Sequence, residues 1–184
     1  MTNAAAYPPY TPAEARARET FLALMWSFSY PGRVYSLPDG KTAVESIAET
    51  LLDLETSFYT PDSALEPALS RHSARSLPPQ TAAYHFYPHL RTADMETVES
   101  ASIGTLLYPD RAATLFIGCT LDAGETLTLS GPGVNGSLSV HVSGLPDEFW
   151  ALREKRRRYP LGWDMYLIDD LRVIGLPRSV QIVR

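Results

Sequence analysis

Residues 104–134 read GTLLYPDRAATLFIGCTLDAGETLTLSGPGV, and the alternation of apolar residues within them predicts the centre of the fold. Side chains at every second position of a strand point to one face, so each alternating run would bury a single face. The residues on these faces are Leu115, Ile117 and Cys119 in the first run and Leu127 and Leu129 in the second. Asp122–Glu125 separates the runs, with Asp and Gly at positions typical of turns. The stretch therefore predicts a β-hairpin with a connection of a few residues.

The length and composition of the chain indicate one globular domain. A domain of 184 residues buries roughly 70% of the surface that its unfolded chain exposes. Its 15 Pro and 11 Gly indicate many short elements separated by turns. Residues 1–10 are small and Pro-rich, and we predict that they form a flexible N-terminal arm. Residues 11–184 are predicted to form a single domain.

Charge, cysteine content and hydropathy exclude several classes of protein. A net charge of -5 argues against general binding of nucleic acid or anionic membranes, because both depend on clustered cations. The single cysteine, Cys119, cannot form an internal disulfide, and its position favours core packing over a reactive thiol. The first residues lack the pattern of a signal peptide, and no later apolar run approaches the about 20 residues needed to span a bilayer. We expect a cytoplasmic protein.

Two capping boxes predict helices near the start of the chain. In Thr11–Glu14 and in Thr42–Glu45, a Thr hydroxyl can accept from the Glu amide while the Glu carboxylate reaches back. Pro12 suits the first helical position, and Pro31 should follow the end of the first helix. The predicted apolar faces are Phe21, Leu22, Met25 and Phe28 for the first helix and Val44, Ile47, Leu51, Leu54 and Phe58 for the second.

The rest of the chain predicts short elements of both kinds. The predicted strands are Ser57–Thr60, Ala82–Tyr87, Ser137–Val142, Trp163–Ile168, Arg172–Leu176 and Val180–Val183. The predicted helices are Leu65–His72, Asp94–Ser100 and Pro146–Arg158. No internal repeat or linker is present. The fold class is therefore predicted to be α/β, with a mixed β-sheet and helices on its faces.

Five residues are candidates for shaping a cleft or an interface. Gly131 and Gly133 lie in the SGPGV loop, which either is a structural turn or lines a cleft. A phosphate loop of the Walker type is disfavoured, because no Lys follows and the intervening proline lacks an amide donor. Arg111 and Arg178 stand at strand edges, where a guanidinium could bind a carboxylate or a phosphate. Asp164 begins an apolar strand and is more typical of a cap or an ion-pair partner than of a catalyst.

Signatures of common catalytic chemistry are missing from the sequence. His85 and His89 have a spacing that could bind zinc from a helix, but Pro88 and the β-rich sequence around them disfavour that helix. Lys41 and Lys155 are the only lysines, and neither resembles a buried Schiff-base amine, so a pyridoxal-phosphate (PLP) enzyme is disfavoured. The serines lie in no nucleophile elbow. We predict no catalytic residue, no metal and no cofactor.

The run Glu154–Arg158 (EKRRR) is the strongest cluster of charge in the chain. It could bind phosphate or nucleic acid. Its cations also complement the dipole of a helix that starts with Asp147 and Glu148, and this second interpretation is favoured.

Several motifs, in order, resemble one protein family. They are FLALMWSFSYPGRV (21–34), GT followed by YPDRAATL (104–115), SGPGV (130–134), YPLGWDMYLID (159–169) and LPRSVQI (176–182). Together they resemble the H subunit of the carbon-phosphorus lyase core complex (PhnH family), part of the bacterial system that degrades phosphonates. The resemblance covers residues 11–54 and 104–184.

The resemblance implies a fold similar to a reduced PLP-dependent transferase domain that lacks the cofactor. It also implies a homodimer that assembles with the G, I and J subunits of the complex. The subunit would support the coupling of a phosphonate to the ribose of ATP without being catalytic itself. The alternative is a stand-alone enzyme or nucleotide-binding protein that acts on phosphorylated ligands through the SGPGV loop, Arg111 and Arg178.

Overall fold

Seven strands form a mixed central sheet in the computed structural model, which describes residues 10–184. In the two sheets of residues 10–184 there are ten strands: β1 (Tyr35–Ser36), β2 (Ser57–Tyr59), β3 (Arg75–Ser76), β4 (Tyr84–Tyr87), β5 (Thr114–Gly118), β6 (Thr120–Ser130), β7 (Ser137–Ser143), β8 (Asp164–Asp169), β9 (Arg172–Leu176) and β10 (Gln181–Val183). The central sheet has the order β1-β9-β8-β5-β4-β2-β3, and a second, antiparallel sheet has the order β10-β6-β7. In the central sheet, β8, β5, β4, β2 and β3 run parallel, whereas β9 is antiparallel to both of its neighbours.

Helices cover both faces of the central sheet. They are α1 (Pro12–Ser29), α2 (Ala43–Leu51), α3 (Glu66–Ser70), α4 (Met95–Ser100) and α5 (Phe149–Arg156), with short 3-10 turns at Thr92–Asp94 and Pro109–Arg111. One face packs against α1, α2 and α3, and the other against α4, α5 and the second sheet. Both predicted capping boxes are confirmed at the starts of α1 and α2. None of the helices in residues 10–184 is long and apolar enough to cross a membrane.

A row of stacked rings crosses three parallel strands on the face that α1 covers. Phe86, Phe116 and Tyr166 occupy matching register positions in β4, β5 and β8. Their ring centroids are 4.9 Å and 5.1 Å apart, and Phe28 of α1 stacks on Tyr166 at 4.2 Å. Gly175 in β9 lets the helix approach, because a Cβ there would lie 2.5 Å from Phe28 Cδ1. These contacts fix the position of α1 on the sheet.

The opposite face of the sheet buries the aliphatic residues that the alternation predicted. Leu115 and Ile117 of β5 and Leu127 and Leu129 of β6 all belong to one core and are fully buried. Trp163 joins this core, and its indole Nε1 donates to the Ala101 carbonyl oxygen at 3.2 Å. Since β5 and β6 belong to different sheets, this core is what holds the two sheets together.

The predicted hairpin is wrong. β5 ends at Gly118 inside the central sheet, whereas β6 starts at Thr120 and pairs with β7 and β10 in the second sheet. The DAGE segment lies within β6 as a bulge: the register with β7 shifts between Leu121 and Glu125, and Gly124 has a φ of 82°. Alternation correctly predicted two strands with buried faces. It does not specify which strand each one pairs with, and here the partners are distant in sequence.

The predicted packing face of α1 is confirmed at Phe28, which stacks on Tyr166, but is wrong at Phe21 and Met25. Phe21 and Met25 are exposed, although both were expected to face the sheet. The buried residues are instead Thr20, Ala23, Leu24 and Ser27. Three of these four side chains are small, because α1 approaches β9 closely at Gly175. Phe21, Met25 and Trp26 are left on the surface.

The second helix is shorter than predicted, and most of the remaining elements are confirmed. α2 ends at Leu51, so Leu54 is exposed and Phe58 belongs to β2 rather than to the helix. The other predicted strands and helices are present with slightly different bounds, and the mixed central sheet is confirmed. The second sheet was not predicted. Of the predicted arm, residues 1–10, all but Tyr10 lie outside the described residues.

His85 makes the stability of the fold depend on pH. Its side chain is fully buried in β4 beside Tyr59, and its Nδ1 lies 3.2 Å from Tyr87 Oη. Burial lowers the pKa of His85 from 6.5 to about 4. Between these values the unfolded chain binds more protons than the folded chain, so stability is lost as the pH falls.

We expect the parent protein to lose about 2 kcal/mol more free energy of unfolding than His85→Gln when the pH is lowered from 7 to 5. The variant keeps a polar side chain but lacks the titrating imidazole. Urea unfolding at the two pH values measures the difference. His89→Gln replaces an exposed imidazole and should keep the pH dependence of the parent. The same pH dependence in the parent and His85→Gln would contradict the prediction.

Candidate functional site

Arg178 and Asp164, two of the five candidate residues, form an ion pair at one edge of the central sheet. Asp164 begins β8, and Arg178 follows β9, the antiparallel neighbour of β8. Arg178 Nη2 lies 2.6 Å from Asp164 Oδ2, and Nε lies 3.2 Å from both carboxylate oxygens. The Arg178 amide also donates to Asp164 Oδ1 at 2.9 Å. Since both side chains are largely buried, the pair is shielded from water and fixed in one geometry.

The same guanidinium attaches two loops to this edge of the sheet. Arg178 Nη1 donates to the carbonyl oxygen of Pro109 and, at 3.4 Å, to that of Pro160. All three guanidinium nitrogens are therefore engaged by groups of the protein. Arg178 could bind a phosphate only by giving up some of these contacts.

Arg111 lies near the ion pair but is not part of it. Its guanidinium carbon lies 4.2 Å from the centroid of the Tyr108 ring, a cation-π arrangement. Its carbonyl oxygen accepts from Ser102 Oγ at 2.9 Å, which fixes the backbone. The side chain is exposed. Arg111 is thus a positioned surface cation that a partner or a ligand could reach.

Gly131 and Gly133 give the SGPGV loop a shape that other residues could not adopt without strain. Their φ angles are 118° and 82°. A Cβ on Gly133 would lie 2.6 Å from Pro31 Cδ and 2.7 Å from the Ser29 carbonyl oxygen, and one on Gly131 would lie 3.2 Å from the Ser179 carbonyl oxygen. The loop therefore packs closely both on the end of α1 and beside the residue that follows Arg178.

The SGPGV loop also lines a groove of about 580 Å³ along α1. Phe21, Met25 and Phe28 of α1 form one wall, and Pro132 and Gly133 form part of the other. Among residues 10–184, no charged side chain lines the groove. Its chemistry suits an apolar surface better than a phosphorylated ligand.

A second cavity, of about 380 Å³, lies at the opposite edge of the sheet, where the parallel strands have their carboxyl ends. His89 after β4, Thr120 after β5 and Thr42 at the start of α2 contribute to its lining. Gly118 allows close packing there, because a Cβ would lie 2.0 Å from the Pro88 carbonyl oxygen. Ligands of open α/β sheets bind outside the carboxyl ends of the strands.

A smaller cavity of about 320 Å³ shares His89 with the previous one and includes Asp62 and Arg91. It lies between the loops that follow β2 and β4. The loop after β2 leads to α3 on one face of the sheet, and the loop after β4 leads to α4 on the other face. The chain continues from β2 to β3 and from β4 to β5 in opposite directions along the sheet, so the strand order reverses between β2 and β4. A crevice opens between the loops at such a point. None of these residues was predicted from the sequence to line a ligand cleft. The sequence feature that could have indicated the crevice is the strand-loop-helix pattern around His89. This pattern identifies a ligand crevice only when the order of the strands in the sheet is known.

The thiol and the two histidines considered from sequence do not form a reactive centre. Cys119 is partly buried, and burial raises the pKa of its thiol to about 12, so the thiol stays protonated at neutral pH. His85 lies in the core, whereas His89 is exposed after the end of β4. In residues 10–184 no group of three or more His, Cys, Asp or Glu could hold a metal ion.

The lysines and the basic run are partly paired within the protein. Lys41 Nζ lies 3.0 Å from a Glu49 carboxylate oxygen, and Lys155 Nζ lies 2.7 Å from one of Glu99. Within the run 154–158, Arg157 binds Glu154 at 2.8 Å. The other two cations of this run, Arg156 and Arg158, form no ion pair with any described residue. The end of α5 therefore carries cations beyond those that its own acids neutralise.

The fold and the contacts define a mixed α/β protein in which Arg178 and Asp164 join two loops to the central sheet. The family model described as "Bacterial phosphonate metabolism protein (PhnH)" matches residues 9–183. The chain belongs to the PhnH family, which confirms the resemblance found in the sequence motifs.

Two named relatives are similar to the chain over most of its length. HtxG of Stutzerimonas stutzeri, named as a C-P lyase subunit protein, is 32% identical over 171 residues, which cover 91% of this chain and 86% of HtxG. A subunit of Rhizobium meliloti (strain 1021), named alpha-D-ribose 1-methylphosphonate 5-triphosphate synthase subunit PhnH, is 31% identical over 193 residues. That match covers 91% of this chain and 90% of the subunit.

We expect Arg178→Glu to lower the free energy of unfolding by about 3 kcal/mol, because it places a second carboxylate against Asp164 and releases both loops. Arg178→Lys should be intermediate, since a point charge cannot make the bidentate contact. Arg111→Glu is the control and should change stability by less than about 1 kcal/mol, because that side chain is exposed. Urea unfolding measures all three. Parent-like stability of Arg178→Glu would show that the pair does not hold this edge together.

Proposed function

We propose that the chain is a non-catalytic subunit of the bacterial carbon-phosphorus lyase core complex. In this proposal it supports the coupling of a phosphonate to the ribose of ATP in phosphonate catabolism, while other subunits carry the reacting groups. The observation that carries the proposal is the match to the PhnH family along residues 9–183. The names of the two relatives, a C-P lyase subunit and a synthase subunit, also support it.

The ion pairs, hydrogen bonds and protonation of the candidate side chains support a non-catalytic role for this subunit. Both lysines are engaged in ion pairs, and the thiol of Cys119 stays protonated at neutral pH. The guanidinium of Arg178 is held by Asp164 and by two carbonyl oxygens. Groups held in this way are suited to fixing a surface rather than to transferring protons or binding a transition state.

The proposal includes the finer expectations that follow from the family resemblance. The fold would be related to that of PLP-dependent transferases without carrying the cofactor, and the partners would be the G, I and J subunits. Assembly would take place in the cytoplasm. The pairing of Lys41 and Lys155 with carboxylates supports the absence of a Schiff base, because a paired ammonium is a poor nucleophile.

The proposal also includes a homodimer that forms through the groove along α1. Phe21 and Met25 are exposed there, and no charged side chain lines the groove. A two-fold symmetric contact brings each patch against its own copy, so an uncharged apolar patch can meet itself without repulsion. Exposed apolar patches of this kind mark interaction sites.

The alternative, a stand-alone enzyme or nucleotide-binding protein that uses the SGPGV loop, Arg111 and Arg178, has less support. The groove beside the loop is uncharged, and Arg178 is already engaged. This alternative requires that ATP or a phosphonate raise the melting temperature of the isolated protein, with an increment that grows with ligand concentration.

Co-expression of the tagged chain with the G, I and J subunits tests the proposed function. We expect a pull-down to recover a stable complex, and light scattering to give a mass well above twice that of the 20.4 kDa chain. Recovery of the tagged chain alone, with every partner in the flow-through, would contradict the proposal. A melting temperature that rises with ATP would then favour the alternative.

The dimer is tested separately by Phe21→Glu. A charge in the centre of a symmetric apolar contact should weaken dimerisation by at least about tenfold, which sedimentation velocity over a dilution series measures. Leu54→Glu is the control, because Leu54 is also an exposed apolar residue but does not line the groove. Equal dimer affinity for the parent and Phe21→Glu would exclude this face as the dimer contact.

A further inference from the structure

A tight turn projects two leucines from the end of the molecule near the Arg178-Asp164 pair. Thr105 and Tyr108 exchange both backbone hydrogen bonds at 3.1 Å, which leaves Leu106 and Leu107 at the tip. The Tyr108 amide also donates to Thr105 Oγ1 at 3.0 Å. Leu106 and Leu107 are 78% and 77% exposed. The backbone of this tip is ordered by hydrogen bonds, although its side chains have little contact with the rest of the protein.

A second tight turn has the same construction and lies beside the first. Arg158 and Leu161 exchange backbone hydrogen bonds at 2.9 Å and 2.8 Å, which leaves Tyr159 exposed at the tip. The carbonyl oxygen of Pro109, just after the first turn, and that of Pro160, in the tip of the second, accept from the same nitrogen of Arg178. The two turns are therefore held at a fixed separation. We define the twin-turn surface as Leu106, Leu107, Tyr108, Tyr159 and the cations Arg111 and Arg158.

The twin-turn surface is basic although the whole protein is acidic. Residues 103–111 and 155–162, which include both turns, contain five Lys and Arg residues and one Asp, whereas the chain has a net charge of -5. Lys155 and Arg157 are paired with Glu99 and Glu154, which leaves three cations against the one Asp. Arg111 and Arg158 form no ion pair within residues 10–184. A symmetric contact of this surface with its own copy would bring cations against cations and be repelled. An occupant with acidic side chains therefore complements this surface.

We infer that the twin-turn surface docks a different protein subunit, one with apolar pockets for the two tips and a rim of Asp and Glu side chains. Tyr and Arg, together with Trp, are enriched among the residues that dominate binding at interfaces, and the ordered turns reduce the entropy lost on binding. Two exposed leucines gain from burial in protein but gain nothing from a sugar-phosphate backbone, which disfavours nucleic acid as the occupant.

The inference rests on the proposed function, because it needs a complex with other subunits. It assigns one surface to the contact with a second copy and another to the contact with an unlike subunit. The uncharged groove along α1 would face a second copy of the chain, and the basic twin-turn surface would face the unlike subunit. The Arg178-Asp164 pair has a positioning role in this arrangement, since it holds both tips without being exposed itself.

The apolar contact is tested with the double variant Leu106→Ser, Leu107→Ser in the complex co-expressed with the G, I and J subunits. We expect its affinity for the partners to fall by at least about tenfold, with an unchanged melting temperature because both leucines are exposed. Leu54→Ser is the matched control, since Leu54 is also 77% exposed but lies between α2 and β2. It should bind the partners as the parent does.

The charged rim is tested with Arg158→Glu. We expect a slower association with the partners and a weaker dependence of the association rate on salt, because steering by opposite charge is lost. Arg75→Glu reverses an exposed cation on the edge strand β3 and should leave both properties unchanged. Stopped-flow or surface-based kinetics at two salt concentrations measure the difference.

The outcomes separate this inference from the proposed function. A parent protein that binds none of the three subunits overturns both. A parent that binds them, together with a leucine double variant that binds equally well, overturns only the inference. Loss of the homodimer alone in the double variant would identify a second copy as the occupant and overturn it too. The inference would also be overturned if the parent bound a short DNA duplex, and if Arg158→Glu abolished that binding without affecting binding of the subunits.

Discussion

The ion pair between Arg178 and Asp164 is the contact on which one end of the molecule depends. It lies where the chain leaves the central sheet after β9 and enters the second sheet as β10. One guanidinium binds the first residue of β8 and the carbonyl oxygens of two loops, Pro109 and Pro160. A largely buried cation needs such a set of acceptors, because the loss of one partner leaves an uncompensated charge. The position of the two exposed turns relative to each other follows from these contacts.

The two edges of the central sheet differ in character. At the amino ends of β5 and β8 lie the ion pair, the SGPGV loop and exposed apolar tips with unpaired cations. At the carboxyl ends lie two cavities that share His89, at the point where the strand order reverses. The first edge is suited to contacts with other proteins, and the second has the position of a small-molecule site in an open α/β sheet. A subunit of a larger assembly can use both edges at once.

Much of the local structure could be predicted from particular residues. Thr11 and Thr42 mark two helix starts, and the alternation around Leu115 and Leu127 marks two buried strand faces. The pairing of those strands could not be predicted, because β5 and β6 are adjacent in sequence but join different sheets. The burial of Phe21 and Met25 in α1 was predicted wrongly for a related reason. The position of α1 on the sheet depends on Gly175, a residue far away in the chain. Asp164 was correctly favoured as an ion-pair partner, although its partner was not specified.

The sequence by itself determined the caps, the strand faces and the ordered motifs of the PhnH family, because each depends on residues close together in the chain. The tertiary structure alone decided the strand order, the face that α1 presents to solvent and the crevice around His89. It also brought Leu106 and Tyr159 to one surface through a single guanidinium. These features depend on contacts between residues that are far apart in sequence, and local periodicity carries no information about which distant segments will meet.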